Sequence, residues 1–128
     1  MKEHVMLVIT SLLMILLFTF HWADEISRGM EPGDLSAFGG IVILSVWLCG
    51  TLLLNERRWG QGIMLLGSIL ASGVLLLHMS GRGLVGGRIA NTSGQFFWVT
   101  NLIALGVLGN LSVILSVRAL WRSWRRPQ

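Results

Sequence analysis

Four stretches of this chain contain no Asp, Glu, Lys, Arg or His: Val5 to Phe20, Ser36 to Leu54, Trp59 to Leu77 and Phe96 to Val117. In hydrocarbon, a helix satisfies its own backbone amides and carbonyls, whereas an isolated strand leaves them bare at a cost of several kcal/mol each. A closed barrel is the alternative, but the runs lack the period-2 alternation of barrel strands. Taken to their apolar limits the segments are 5–23, 36–54, 59–79 and 96–120, each 19 to 25 residues long. A helix needs about 20 residues to cross a bilayer. The sequence therefore predicts an all-α membrane protein: one integral membrane domain over residues 1–128, an antiparallel four-helix transmembrane bundle of up-down topology. Composition agrees, with 53% hydrophobic and 12% charged residues, the latter about half the share in a soluble domain.

Lys2 before the first apolar run resembles the start of a signal peptide, but the following FTFHWADE is a poor cleavage site. His21 would occupy the −3 position if Ala23 were −1. The expectation is an uncleaved anchor. The single cysteine, Cys49, lies within the second segment and has no partner for an intramolecular disulfide.

Orientation follows from the basic residues. With a cytoplasmic N-terminus, the inner side carries seven (Lys2, Arg57, Arg58, Arg118, Arg122, Arg125 and Arg126) and the outer side three (Arg28, Arg82 and Arg88). That bias places both termini in the cytoplasm. Trp22 and Trp98 mark an outer aromatic belt, and Trp59, Trp121 and Trp124 an inner one. The expected location is the cell membrane, of bacterial inner-membrane type. Arg118, Arg122, Arg125 and Arg126 form a basic cluster suited to anionic inner-leaflet lipid, at about 1 kcal/mol per charge. No module for reading nucleic acid accompanies them.

The short connections predict local structure. NERR (55–58) makes a tight turn between the second and third helices. EPGD suits a type II turn with Asp34 capping the second helix. TSGQ fits a capping box with Thr92 as N-cap and Gln95 reaching back. Small residues predict where helices approach: Gly67 and Ala71 on the third, Gly106 and Gly109 on the fourth, Ser45 and Cys49 on the second. The bulkier first helix is expected to face lipid. Asn110, deep in the last segment, is expected to act as interhelical glue.

Chemistry concentrates at the outer ends. His21, Asp24, Glu25, Arg28, His78, Arg82 and Arg88 are expected to form a polar cluster there, with His78 primarily structural. His21 and His78 on facing helices are also candidates to ligate haem, or with Asp24 and Glu25 a divalent metal. GRGLVG (81–86) matches the letters of a dinucleotide fingerprint but follows a membrane helix rather than a strand, so it is rejected. Ser80 beside His78 does not complete a catalytic set, because helix neighbours point apart. Charged groups are missing from mid-membrane, which argues against proton-coupled transport. The reading is a non-enzymatic scaffold or accessory subunit, with lipid, another membrane protein or itself as partner and no cofactor. The alternatives are a haem- or metal-binding redox protein using the two histidines, or a small passive transporter or channel.

Overall fold

The computed structural model describes residues 2–29, 34–82 and 92–125, apart from the side chains of 34–37 and 79–82. Four helices are present: α1 (Lys2–Ser27), α2 (Asp34–Leu52), α3 (Arg58–Arg82) and α4 (Gln95–Arg125). α1, α3 and α4 are long and apolar enough to cross a membrane; in α2 the described apolar stretch, Phe38–Leu52, is shorter.

The helix ends follow from local chemistry. α1 continues past Ala23 because His21 meets Glu25, and Asp24 meets Arg28, at i,i+4 spacing. Gly29 then adopts φ +64°, with its amide donating to Ile26, a left-handed stop that glycine makes without steric cost. Asn55 Nδ2 donates to the Thr51 carbonyl at 2.8 Å, satisfying an end of α2, and the Arg57 amide closes the turn onto Leu54. α4 begins at Gln95 after Gly94 at φ +86°; the Gln95 amide donates to the Thr92 carbonyl at 3.4 Å, and the Thr92 hydroxyl accepts from Arg28. The EPGD turn and the Asp34 side chain lie outside the described residues.

Rising numbers on one helix meet falling numbers on the next: Ser11 meets Thr51 and Trp22 meets Gly40 between α1 and α2, and Ser68 meets Ser112 between α3 and α4. α3 and α4 share the most extensive interface. α1 packs on all three other helices, whereas the described backbone of α2 does not come within 8 Å, Cα to Cα, of α4. α3 also packs on all three others, and α1 is the least buried of the three long spans, in line with its expected exposure to lipid. Its bulk points outward through Ile9, Leu13, Leu16 and Phe20, while Leu7, Ser11, Met14 and His21 turn inward. On α2 the expected small face is reversed. Ser45 and Cys49 are exposed, and Trp47, Gly50 and Thr51 are buried.

Three layers fill the interior: Leu7, Met64 and Leu115; then Met14, Trp47, Ala71 and Leu105; then Val74, Trp98 and Leu102. Glycines admit the large side chains between them. The Trp47 ring lies against Gly67, Leu75 against Gly106, and Ser72 against Gly109. Asn110 is exposed and bonds back to the Gly106 carbonyl of its own helix. The interhelical asparagine is Asn101, buried and donating to the Leu17 carbonyl of α1 at 3.1 Å. Nine residues separate the two asparagines, which at 3.6 residues per turn puts them on roughly opposite sides.

Gly67→Leu drives a side chain into the Trp47 ring, and overpacking of this kind costs about 1–3 kcal/mol. Leu13→Phe, on an exposed face, should change stability far less. Thermal melting in detergent checks the contrast. In the same assay Asn101→Ala should cost about 1 kcal/mol and Asn110→Ala little.

Candidate functional site

The polar residues at the C-terminal ends of α1 and α3 gather against the start of α4. His21 is buried at 2% exposure, with its ring 5.0 Å from that of His78 and 4.6 Å from Trp98, centroid to centroid. Trp98 also packs edge-on to His78 at 5.3 Å. It was expected in the outer aromatic belt; it instead forms a buried wall between the two imidazoles and the apolar layer of Val74 and Leu102.

Glu25 joins the two histidines. Its Oε1 lies 3.1 Å from His78 Nε2 and 3.5 Å from His21 Nε2. His78 Nδ1 faces the Val74 carbonyl at 2.8 Å. A carbonyl only accepts, so Nδ1 carries a hydrogen and the Nε2 side points at Glu25. A hydrogen also lies between Nε2 and Oε1 whenever those two atoms are hydrogen-bonded. His21 has no such support: both of its ring nitrogens are buried and lack a hydrogen-bond partner. An unsatisfied buried polar group costs about 1–3 kcal/mol.

Asp24 belongs to a different set. Arg28 Nε donates to its Oδ2 at 2.8 Å, and the same guanidinium donates to Thr92 Oγ1 at 3.0 Å and the Ser93 carbonyl at 3.2 Å. Arg28 thus ties the end of α1 to the segment that opens α4. Asp24, expected among the metal candidates, is engaged by Arg28 and is not part of the His21, Glu25 and His78 group. The side chain of Arg82, all of Arg88, the side chain of Ser80 and most of GRGLVG lie outside the described residues.

Haem does not fit the two histidines. Axial ligands on opposite faces of a porphyrin need the macrocycle between them, and here the rings touch edge to face with Trp98 packed on both. A single small cation is a different matter. One donor atom from each of His21, Glu25 and His78 lies within 4.8 Å of the others.

Sequence reasoning found these residues by their place at helix ends but saw no spacing between them. The spacing exists in the core. Leu7, Met14 and His21 follow one another at seven-residue steps on α1, and so do Met64, Ala71 and His78 on α3. The first two of each set fill the two inner layers. Each histidine thus continues a seven-residue core stripe by one layer.

At the opposite end, Arg122 pairs with Glu3, Arg58 Nη2 donates to the Ser123 carbonyl at 2.9 Å, and the Arg125 guanidinium lies 4.7 Å from the Trp121 ring. Arg118 is exposed and Arg126 lies outside the described residues. No family model matches the sequence, and no curated protein or solved structure is significantly similar to it.

With a chelator present, His78→Leu should cost about 1–3 kcal/mol by stranding the Glu25 carboxylate, while His78→Gln, which keeps a donor, should cost less than half as much. Thermal melting reads the difference. Arg28→Ala should release the start of α4, seen as faster amide hydrogen exchange over residues 94–98 with the centre of α4 unchanged.

Proposed function

We propose that this chain is a multi-pass protein of the cell membrane, of bacterial inner-membrane type. Its fold is an antiparallel four-helix bundle of up-down topology with both termini cytoplasmic, acting without catalysis as a scaffold or accessory subunit. The observation that carries the membrane reading is an inversion of polarity. Among the described residues, thirty large apolar side chains are exposed and ten apolar residues are buried, while Ser11, Thr51, Gln61, Ser68, Asn101, Ser112 and Ser116 lie inside. Isolated exposed apolar residues are ordinary in water, but an apolar surface continuous over every helix suits lipid. Interior hydroxyls and amides bonded across helices suit the same solvent.

α2 completes the set of crossings. It packs between α1 and α3 in the opposite sense to both, its short connection to α3 leaves room only for a hairpin, and its exposed face carries Phe38, Ile41, Val42 and Val46. Orientation rests on the seven-to-three distribution of basic residues. Arg118, Arg122 and Arg125 then meet anionic inner-leaflet lipid, with exposed Trp59, Trp121 and Trp124 at the same boundary. The cluster around His21 and His78 lies at the outer end.

Two features support a role other than catalysis or conduction. The described partners of His78 are a carboxylate and a backbone carbonyl, neither of them an activated nucleophile. The layers of Met14, Trp47, Ala71 and Leu105, and of Val74, Trp98 and Leu102, stand between the two polar ends with every member buried. An apolar constriction of that kind resists a wetted path.

Reporter fusions test the topology. A reporter after Gln128 should be active only in its cytoplasmic form, and one inserted at Gly33 only in its external form. The reverse pattern would overturn the orientation.

A further inference from the structure

We propose that His21, Glu25 and His78 bind one divalent d-block cation of the zinc class. Two imidazoles and a carboxylate are the donor set that such ions prefer over calcium or magnesium, which take mainly oxygen ligands. Two of the three donor separations are those a tetrahedral ion requires, and a modest rotation of the imidazoles toward each other supplies the third. Metal–ligand bonds of about 2.0–2.1 Å place ligand atoms roughly 3.3 Å apart at tetrahedral angles. Glu25 Oε1 lies 3.1 Å from His78 Nε2 and 3.5 Å from His21 Nε2, and the three donor atoms all lie within 4.8 Å of one another.

Three further observations point to a ligand rather than a simple ion pair. His21 is almost wholly buried, yet neither ring nitrogen has a hydrogen-bond partner, so its Nε2 is directed at Glu25 with nothing bound to it. The Val74 carbonyl accepts from His78 Nδ1, the usual outer support of a ligating histidine, and thereby leaves Nε2 as the nitrogen that a metal takes in place of the proton shared with Glu25. His21 and Glu25 are held at i,i+4 on one face of α1 while His78 comes from α3, so the donors sit on helices rather than loops. Trp98 closes one side with an apolar wall. Asp24 is not the fourth ligand, since Arg28 holds its carboxylate. The fourth position is left to water or an exogenous donor, the pattern of zinc sites with three protein ligands.

The proposal depends on the membrane reading only for the compartment that supplies the ion. Binding in detergent and the reporter fusions therefore fail independently. The test is titration of the purified full-length protein, freed of metal by chelator, with Co2+, followed by visible ligand-field absorption and displacement by Zn2+. The wild type should take up one Co2+ per chain with the intense bands of a tetrahedral site. His21→Gln, Glu25→Gln and His78→Gln should each weaken binding by more than the roughly 10–100-fold seen on losing an outer support. Asp24→Asn, and His4→Gln at the far end of α1, should bind as the wild type does. X-ray absorption of the zinc-loaded wild type should show two imidazoles and an oxygen at about 2.0–2.1 Å, a readout that no misfolded variant can confuse. Absence of stoichiometric Co2+ or Zn2+ in the wild type would overturn the proposal, leaving a structural hydrogen-bonded cluster. So would wild-type affinity in the three ligand variants, or a zinc environment without two imidazoles.

Discussion

The indole of Trp47 is the joint on which the rest of the packing depends. Its Nε1 donates to Ser11 Oγ at 2.9 Å, and Ser11 in turn shares a 2.8 Å hydrogen bond with Thr51, whose hydroxyl is also 2.9 Å from the Trp47 carbonyl. The ring lies on Gly67 of α3, meets Phe18 of α1 edge-on at 6.3 Å, and shares a layer with Met14, Ala71 and Leu105. One side chain on α2 thus makes a polar contact with α1, a close approach to α3 and a common core with α4. In a lipid solvent the expulsion of apolar surface from water does not hold helices together. Close contact and a satisfied polar group must do so, and Trp47 supplies both. This explains why α2, whose described backbone stays apart from α4, still has a fixed place.

The same economy appears at the Ser68–Ser112 contact, where two hydroxyls 2.8 Å apart join α3 to α4 and Ser68 also donates to Met64 of its own helix at 2.6 Å. Small polar residues let the backbones approach and then bond across the gap. Each such bond is worth only about 0.6 kcal/mol on average in a membrane protein, so no single one decides the fold. Together with glycines that accept Trp47 and Leu75, they decide which face of each helix points inward.

The existence of the four helices, their apolar faces and the turn at Asn55 were legible because each follows from length or from local backbone chemistry. The role of Gly67 was legible for the same reason. What could not be read was register. Ser45 and Cys49 carry the expected spacing yet face outward, because the large Trp47 claims the inward side of α2 and a helix has only one such side. Asn110 and Asn101 are equally polar, and the rotation of α4 turns only Asn101 toward α1. At Thr92 the hydroxyl also serves a guanidinium from α1, a partner that no local window reveals. These cases share a cause. A tertiary partner, invisible in a local window, decides what each group meets.

The candidate site shows the converse, a tertiary arrangement that local pattern does encode. Leu7, Met14 and His21 are separated by the same intervals as Met64, Ala71 and His78, and each member of the first set stands 57 residues before its counterpart. A constant offset between α1 and α3 is what two helices running in the same sense with matched core layers produce. On α4, Trp98, Leu105 and Ser112 repeat the interval in the opposite sense and are all buried. The layer of His21, His78 and Trp98 is therefore the next layer of the core, with two apolar positions replaced by imidazoles. Such a replacement is costly if it serves packing alone, since His21 gains no hydrogen bond there. Glu25, one turn beyond His21, adds a carboxylate at the height of that layer. A core position that accepts an unsatisfied imidazole beside a second imidazole and an acid gives up stability, and binding of a cation would return it.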